Sequence, residues 1–134
     1  MNSQKFLGLD FGEKKIGLAI ADTETKIATP FKIIANDDAI FKQLREICEQ
    51  EKIARIIVGV PLGLQGIKSK QYGEVLCFIN KLEKEIKIEV EQQDENLSSR
   101  YAKNLLKETR AKKLDDAVAA MIILQSYLDE RHNF

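Results

Sequence analysis

The 134-residue sequence predicts an α/β protein: a mixed five-stranded sheet with helices on both faces. Three observations predict it. The first 35 residues hold three apolar stretches joined by short polar turns, the grammar of an antiparallel meander. Apolar runs then alternate with stretches of helical period. The run "RIIVGV", Arg55 to Val60, is continuous enough to be a central strand buried on both faces.

In chain order, Phe6 to Leu9 reads as a first strand and Ile16 to Ala21 as a second, joined by the turn Phe11 to Lys15. Ile27 to Ile34 reads as a third, with Pro30 placing it at an edge or at a bulge. Asp37 or Asp38 is the expected N-cap of a helix to about Lys52, with Ile40, Phe41, Leu44, Ile47 and Cys48 on one face. After "RIIVGV", "PLGLQG" forms a loop. A helix follows over about Gln71 to Glu85, carrying Val75, Phe78, Ile79 and Leu82. "IKIEVEQQDE" alternates into a fifth strand. Ser98 or Ser99 can cap a further helix with Ala102, Leu105 and Leu106, and Asp115 to about Arg131 closes the chain as a mostly apolar helix. Right-handed crossovers run the later strands parallel to the first. The length suits a single domain over residues 1–134 with a self-sufficient core.

Composition narrows the chemistry. Apolar residues make up 44% and charged residues 31%, a globular balance. Twenty-one Lys+Arg offset 21 Asp+Glu, so a nucleic-acid surface must come from local clustering. The longest purely apolar run, Ala117 to Leu124, is far short of a bilayer span, and no secretory pattern opens the chain. No membrane partner and a cytoplasmic address are expected. Cys48 and Cys77 read as small buried hydrophobes. The one histidine, His132, lies at the C-terminal end, which disfavours Ser-His or Cys-His catalysis and zinc chemistry. An enzyme of this composition must work with carboxylates, lysines or hydroxyls.

Carboxylates stand at three informative places. Asp10 ends the first strand, where ligands sit in sheets of this kind. A turn aspartate bonding the Phe11–Gly12 backbone is the plain alternative. Gly12 is consistent with close backbone approach to a ligand, and Lys14 and Lys15 with phosphate contacts or a solvated turn. Asp94 and Glu95 end the fifth strand. Alternation groups Asp94 with Ile86, Ile88 and Val90 and points Glu95 to the other side. Asp115 and Asp116 open the last helix, where a cap is the simple reading. Asp116, however, shares a face with Ala119, Ala120 and Ile123, and small alanines let that helix start approach the strand ends. Three converging carboxylates would offer oxygen ligands to Mg²⁺ or Mn²⁺, the usual apparatus for phosphodiester hydrolysis.

Four blocks, "LGLDFGEKKIGLAIAD", "IIVGVPLGLQG", "DENLSS" and "KKLDDAVAAMIILQSYLD", resemble the signature blocks of the YqgF/RuvX family of the RNase H-like superfamily. The likeness runs from about residue 5 to residue 130, and the first and last blocks are the most specific. It implies an RNase H-like fold and a nuclease of ribosome biogenesis that trims the 5′ end of pre-16S rRNA, or a Holliday junction resolvase. It also implies that Asp10, Glu95 and Asp116 are the catalytic, metal-binding acids. Asp115 falls where the family usually carries an apolar residue. Gly12, Gly17, Gly59, Pro61 and Gly66 match positions read as structural loops.

Three departures are visible. Asn96 replaces the usual arginine, and Gly63 and Gln65 replace Asn and Asp of the family loop. In this light the connector with Lys103, Lys107, Arg110, Lys112 and Lys113 becomes a candidate for sequence-independent phosphate contacts. Expected partners are structured RNA or branched DNA and ribosomal precursor particles, with the chain a monomer or homodimer. A non-catalytic nucleic-acid-binding module of the same fold is the competing class. A nucleotide-binding protein of the actin–sugar-kinase type is disfavoured because the chain is too short for two lobes.

Overall fold

A computed structural model describes residues 3–61, 70–95 and 115–131. The described elements are β1 (Lys5–Asp10), β2 (Lys15–Asp22), β3 (Ile27–Ala35), α1 (Ile40–Glu51), β4 (Ile53–Pro61), α2 (Lys70–Glu85), β5 (Glu89–Glu95) and α3 (Asp116–Glu130). They form one five-stranded sheet in the order β3-β2-β1-β4-β5. β1, β2 and β3 pair antiparallel, and β4 joins β1 and β5 in parallel, as the meander and the crossovers require. The helix expected after Ser98 or Ser99 lies outside the described residues.

Pro30 has both consequences expected of it. β3 is an edge strand, and the β2–β3 register skips Phe31 between Leu18↔Lys32 and Ala19↔Pro30. A proline without an N–H and a bulge beside it both blunt an edge that exposes Ile27 and Ile33.

The strands alternate between two cores. Leu7, Leu9, Ile16, Leu18, Ile56, Val58 and Val60 face α1 and α2, whose Leu44, Ile47, Val75, Phe78 and Leu82 cover them. Phe6, Ala19, Ala21 and Ile57 face α3, which buries Ala120, Ile123, Leu124, Tyr127 and Leu128 against them. Each large side chain so buried contributes about 1.5–3 kcal/mol. The far end of α3 is tied by polar groups. Arg55 donates to the Tyr127 hydroxyl (2.8 Å), pairs with Glu89 (3.3 Å) and Glu91 (3.1 Å), and stacks over Phe6; Tyr127 in turn donates to Glu91.

Three local expectations are corrected. Neither Asp37 nor Asp38 caps α1: its N-cap is Ala39, and the Asp37 carboxylate instead accepts from the Ala39 N–H (2.9 Å) in the turn before it. β5 begins at Glu89 rather than Ile86, because the Ile86 N–H still bonds to Leu82 in the last turn of α2. Of the two cysteines, Cys48 is buried but Cys77 is exposed on α2.

Burial pushes the Cys48 thiol up to about 11, with the Glu49 charge adding to the effect. A thiol whose folded value exceeds its unfolded value of 9.0 stabilises the fold fully below pH 9 and loses that contribution as pH rises to about 11. Thermal melts from pH 8 to 11 should therefore show an alkaline loss that Cys48→Ala flattens. In the native protein at pH 8, a thiol reagent should modify Cys77 quickly and Cys48 only through opening of the fold. Equal rates at both cysteines would contradict the burial.

Candidate active site

Asp10 is the last residue of β1, half-buried. It shares its strand face with Phe6 and Gly8, and that is the α3 face: a Cβ on Gly8 would lie 2.8 Å from Leu124 Cβ and 3.0 Å from the Ala120 carbonyl. Its cross-strand partner is Gly17 of β2. A Cβ on Gly17 would overlap the backbone carbonyl of Asp116. The first turn of α3 therefore rests directly on the residue that pairs with Asp10. Paired Cα atoms in such a ladder stand about 4.5–5.5 Å apart, so Asp10 and Asp116, 106 positions apart in the chain, come to one corner of the sheet.

The two acids at the start of α3 separate cleanly. Asp115 is the N-cap, exposed, and its carboxylate accepts from the Val118 N–H (2.9 Å). Its job is the cap. Asp116 is the first helical residue, half-buried over the sheet.

Glu95 is the last residue of β5, paired with Pro61 at the end of β4. It has the parity of Glu91 and Gln93, which bond to Tyr127 and Glu130 of α3. Asp94 has the opposite parity. Position 95 is two strand spacings, about 10 Å, across the sheet from Asp10 and lies two residues further along, since the register runs Leu9↔Val58↔Gln92. The Glu95 side chain lies outside the described residues, and no group of three acidic, histidine or cysteine side chains forms a metal site among those described. The donor set that the two placed aspartates begin is all carboxylate oxygen, which suits a hard divalent cation.

The glycines need correction. Gly17 and Gly59 are interior strand residues, and Pro61 ends β4; none is in a loop. Gly17, Gly8 and Gly59 lie on the adjacent strands β2, β1 and β4 and make the floor under α3, where a Cβ on Gly59 would come within 2.9 Å of Ile123. Gly12 does sit in the β1–β2 turn, but the Lys15 carbonyl occupies its Cβ position, so the turn itself requires glycine there. Gly8 was legible as a glycine inside a strand pattern, a known sign of close backbone approach. Lys14 and Lys15 are exposed beside the turn. Gly66, Lys107, Arg110, Lys112 and Lys113 lie outside the described residues.

A cavity of about 510 Å³ adjoins the same turn on the opposite side of the sheet, between α1 and α2. Glu13, Asp37, Asp38 and Glu74 rim it against one lysine, Lys81. That charge repels a polyanion, and the face of Asp10 and Asp116 is the other one.

The family model described as "RuvX: Holliday junction resolvase" matches residues 4–130. The chain belongs to the RuvX family. A Chloroflexus aggregans relative named "Putative pre-16S rRNA nuclease" is 37% identical over 140 residues, covering 99% of both chains. One of the same name from Maridesulfovibrio salexigens is 39% identical over 131 residues, 92% of this chain and 97% of the relative. Among solved structures, this RuvX chain is similar to Thermus thermophilus RuvC in complex with a Holliday junction substrate, with TM-score 0.59, 12% identity and coverage of 95% and 94%. It is also similar to the Fowlpox virus resolvase bound to Holliday junction DNA, with TM-score 0.58, 17% identity and coverage of 95% and 98%. At such identities the likeness speaks for the fold, and it agrees with the RNase H-like class expected.

Proposed function

We propose that this chain is a Mg²⁺- or Mn²⁺-dependent nuclease that hydrolyses phosphodiester bonds in pre-16S rRNA, at its 5′ end. The observation that carries the chemistry is the seating of the α3 N-terminus on Gly17, which brings Asp116 beside Asp10. The names of full-length relatives at 37–39% identity support the substrate. Asp10, Asp116 and Glu95 would hold the cation, which when bound supplies Lewis-acid stabilisation of the phosphoryl oxygens. The protein's own share is positional. Asp10 and Asp116 present carboxylates from two rigid elements, and Lys14 and Lys15 offer cations to the flanking phosphates.

The basic residues between Glu95 and Asp116 are the second candidates for sequence-independent phosphate contacts. Replacing Lys112 and Lys113 together by alanine should flatten the salt dependence of substrate binding, by about 0.7–0.9 in log–log slope per lost phosphate contact. An unchanged slope removes the connector from the interface.

A second reading, Holliday junction resolution, is favoured by the family's description and by the junction-bound structures of the same fold. Resolution requires a symmetric dimer cutting two strands; trimming one RNA end does not. Cleavage of a precursor 16S fragment and of a four-way junction, side by side with Asp10→Asn as control, separates the two. Cutting of the RNA alone supports the proposal, and cutting of the junction alone replaces it with the second reading.

A further inference from the structure

The turn that follows Asp10 is clamped from outside by one side chain. Asn36 stands immediately after β3 and is half-buried. Its Nδ2 donates to the Gly12 carbonyl (2.8 Å), and its backbone N–H donates to the Lys14 carbonyl (2.9 Å). Two carbonyls of one turn are thus held by one residue 24 positions from the first of them. The rest of the turn is equally confined. Gly12 has the Lys15 carbonyl where a side chain would stand, and the Phe11 ring packs on Phe78 at 4.9 Å between centroids.

We propose that Asn36 is a positioning residue for the Asp10 site: its side-chain amide holds the β1–β2 turn so that Asp10 and Lys14 keep a fixed spacing. The inference rests on the reading of Asp10 as a catalytic acid. Asp10 is the last strand residue before the turn, and Lys14 is the last turn residue before β2. The turn sets the spacing of the two backbone positions from which the Asp10 carboxylate and the Lys14 side chain project. Only a hydrogen-bond donor serves here, because the partner is a carbonyl oxygen, and the asparagine amide supplies one as an N–H. An aspartate of the same shape turns an acceptor toward that carbonyl, and alanine leaves it without the bond.

The test uses the full chain with Asn36→Ala, Asn36→Asp and Asn36→Gln, each assayed well below its own melting temperature. Single-turnover cleavage of the precursor rRNA fragment should fall about tenfold for alanine and further for aspartate, the scale of loss from sub-ångström misplacement. Glutamine, which keeps the donor on a longer stem, should recover part of the rate. Mn²⁺ affinity, measured by calorimetry without substrate, should weaken several-fold in the alanine variant, as losses of outer supporting contacts do. A purely structural role would lower the melting temperature and leave the Mn²⁺ affinity and rate of the folded fraction native. That result overturns the inference. The site reading fails separately, if Asp10→Asn cleaves at the native rate. If Asp10→Asn is inactive and Asn36→Ala is native in both rate and Mn²⁺ affinity, only the role of Asn36 is lost.

Discussion

Asp10→Asn should lower cleavage by about 10³-fold, the loss expected when a charged ligand worth several kcal/mol in the transition state is removed. The amide keeps the shape of the carboxylate at the end of β1, so the strand and its pairing with Gly17 should persist. Asp116→Asn should behave similarly. Asp115→Ala is the informative contrast. It removes the bond to the Val118 N–H and should cost about 1 kcal/mol of stability, while cleavage by the folded protein continues. Circular dichroism and single-turnover rates on the three variants check the set. If Asp115→Ala lost activity while Asp116→Asn kept it, the two acids would have to exchange roles.

Gly17→Ala should destabilise the protein by about 3 kcal/mol, the upper range for overpacking a well-filled site. The added methyl would occupy the position of the Asp116 backbone carbonyl, and backbone cannot swing aside as a flexible side chain can. Either α3 lifts at its N-terminus or β2 bends away. Both separate Asp116 from Asp10, so the folded fraction should lose activity as well. Gly73→Ala is the control. Gly73 is exposed in α2 with nothing within 4 Å of its Cβ position, and alanine there should stabilise by about 0.5–1 kcal/mol. Urea melts of the two variants should move in opposite directions. A Gly17→Ala protein with native stability and activity would mean that α3 does not rest where the structure puts it.

The elements and their order were legible because each is specified locally. Short apolar runs bounded by polar turns mark β1 and β2, helical spacing marks α1 and α2, and Pro30 marks the edge strand with its bulge. The errors are also local. Asp37 and Asp38 look like caps for α1, but the chain spends the Asp37 carboxylate one turn early, and the Ile86 alternation begins while α2 is still closing its last hydrogen bond. Cys77 sits on a helix whose apolar face is only part of its circumference, so its neighbours in sequence do not decide its exposure.

The acidic positions belong to the sequence too, since a carboxylate closing an apolar strand and another opening an apolar helix are visible without coordinates. What no local pattern could decide is how closely Asp116, already singled out by its helical spacing with Ala119, Ala120 and Ile123, approaches Asp10, and what the strand glycines are for. Those answers depend on the seating of α3. Gly17 must meet the backbone of a residue 99 positions away, and Asn36 must reach across to Gly12. Packing of that kind is settled only when the sheet and the helix are both in place, because it is contact between elements, and not the conformation of either one, that determines it.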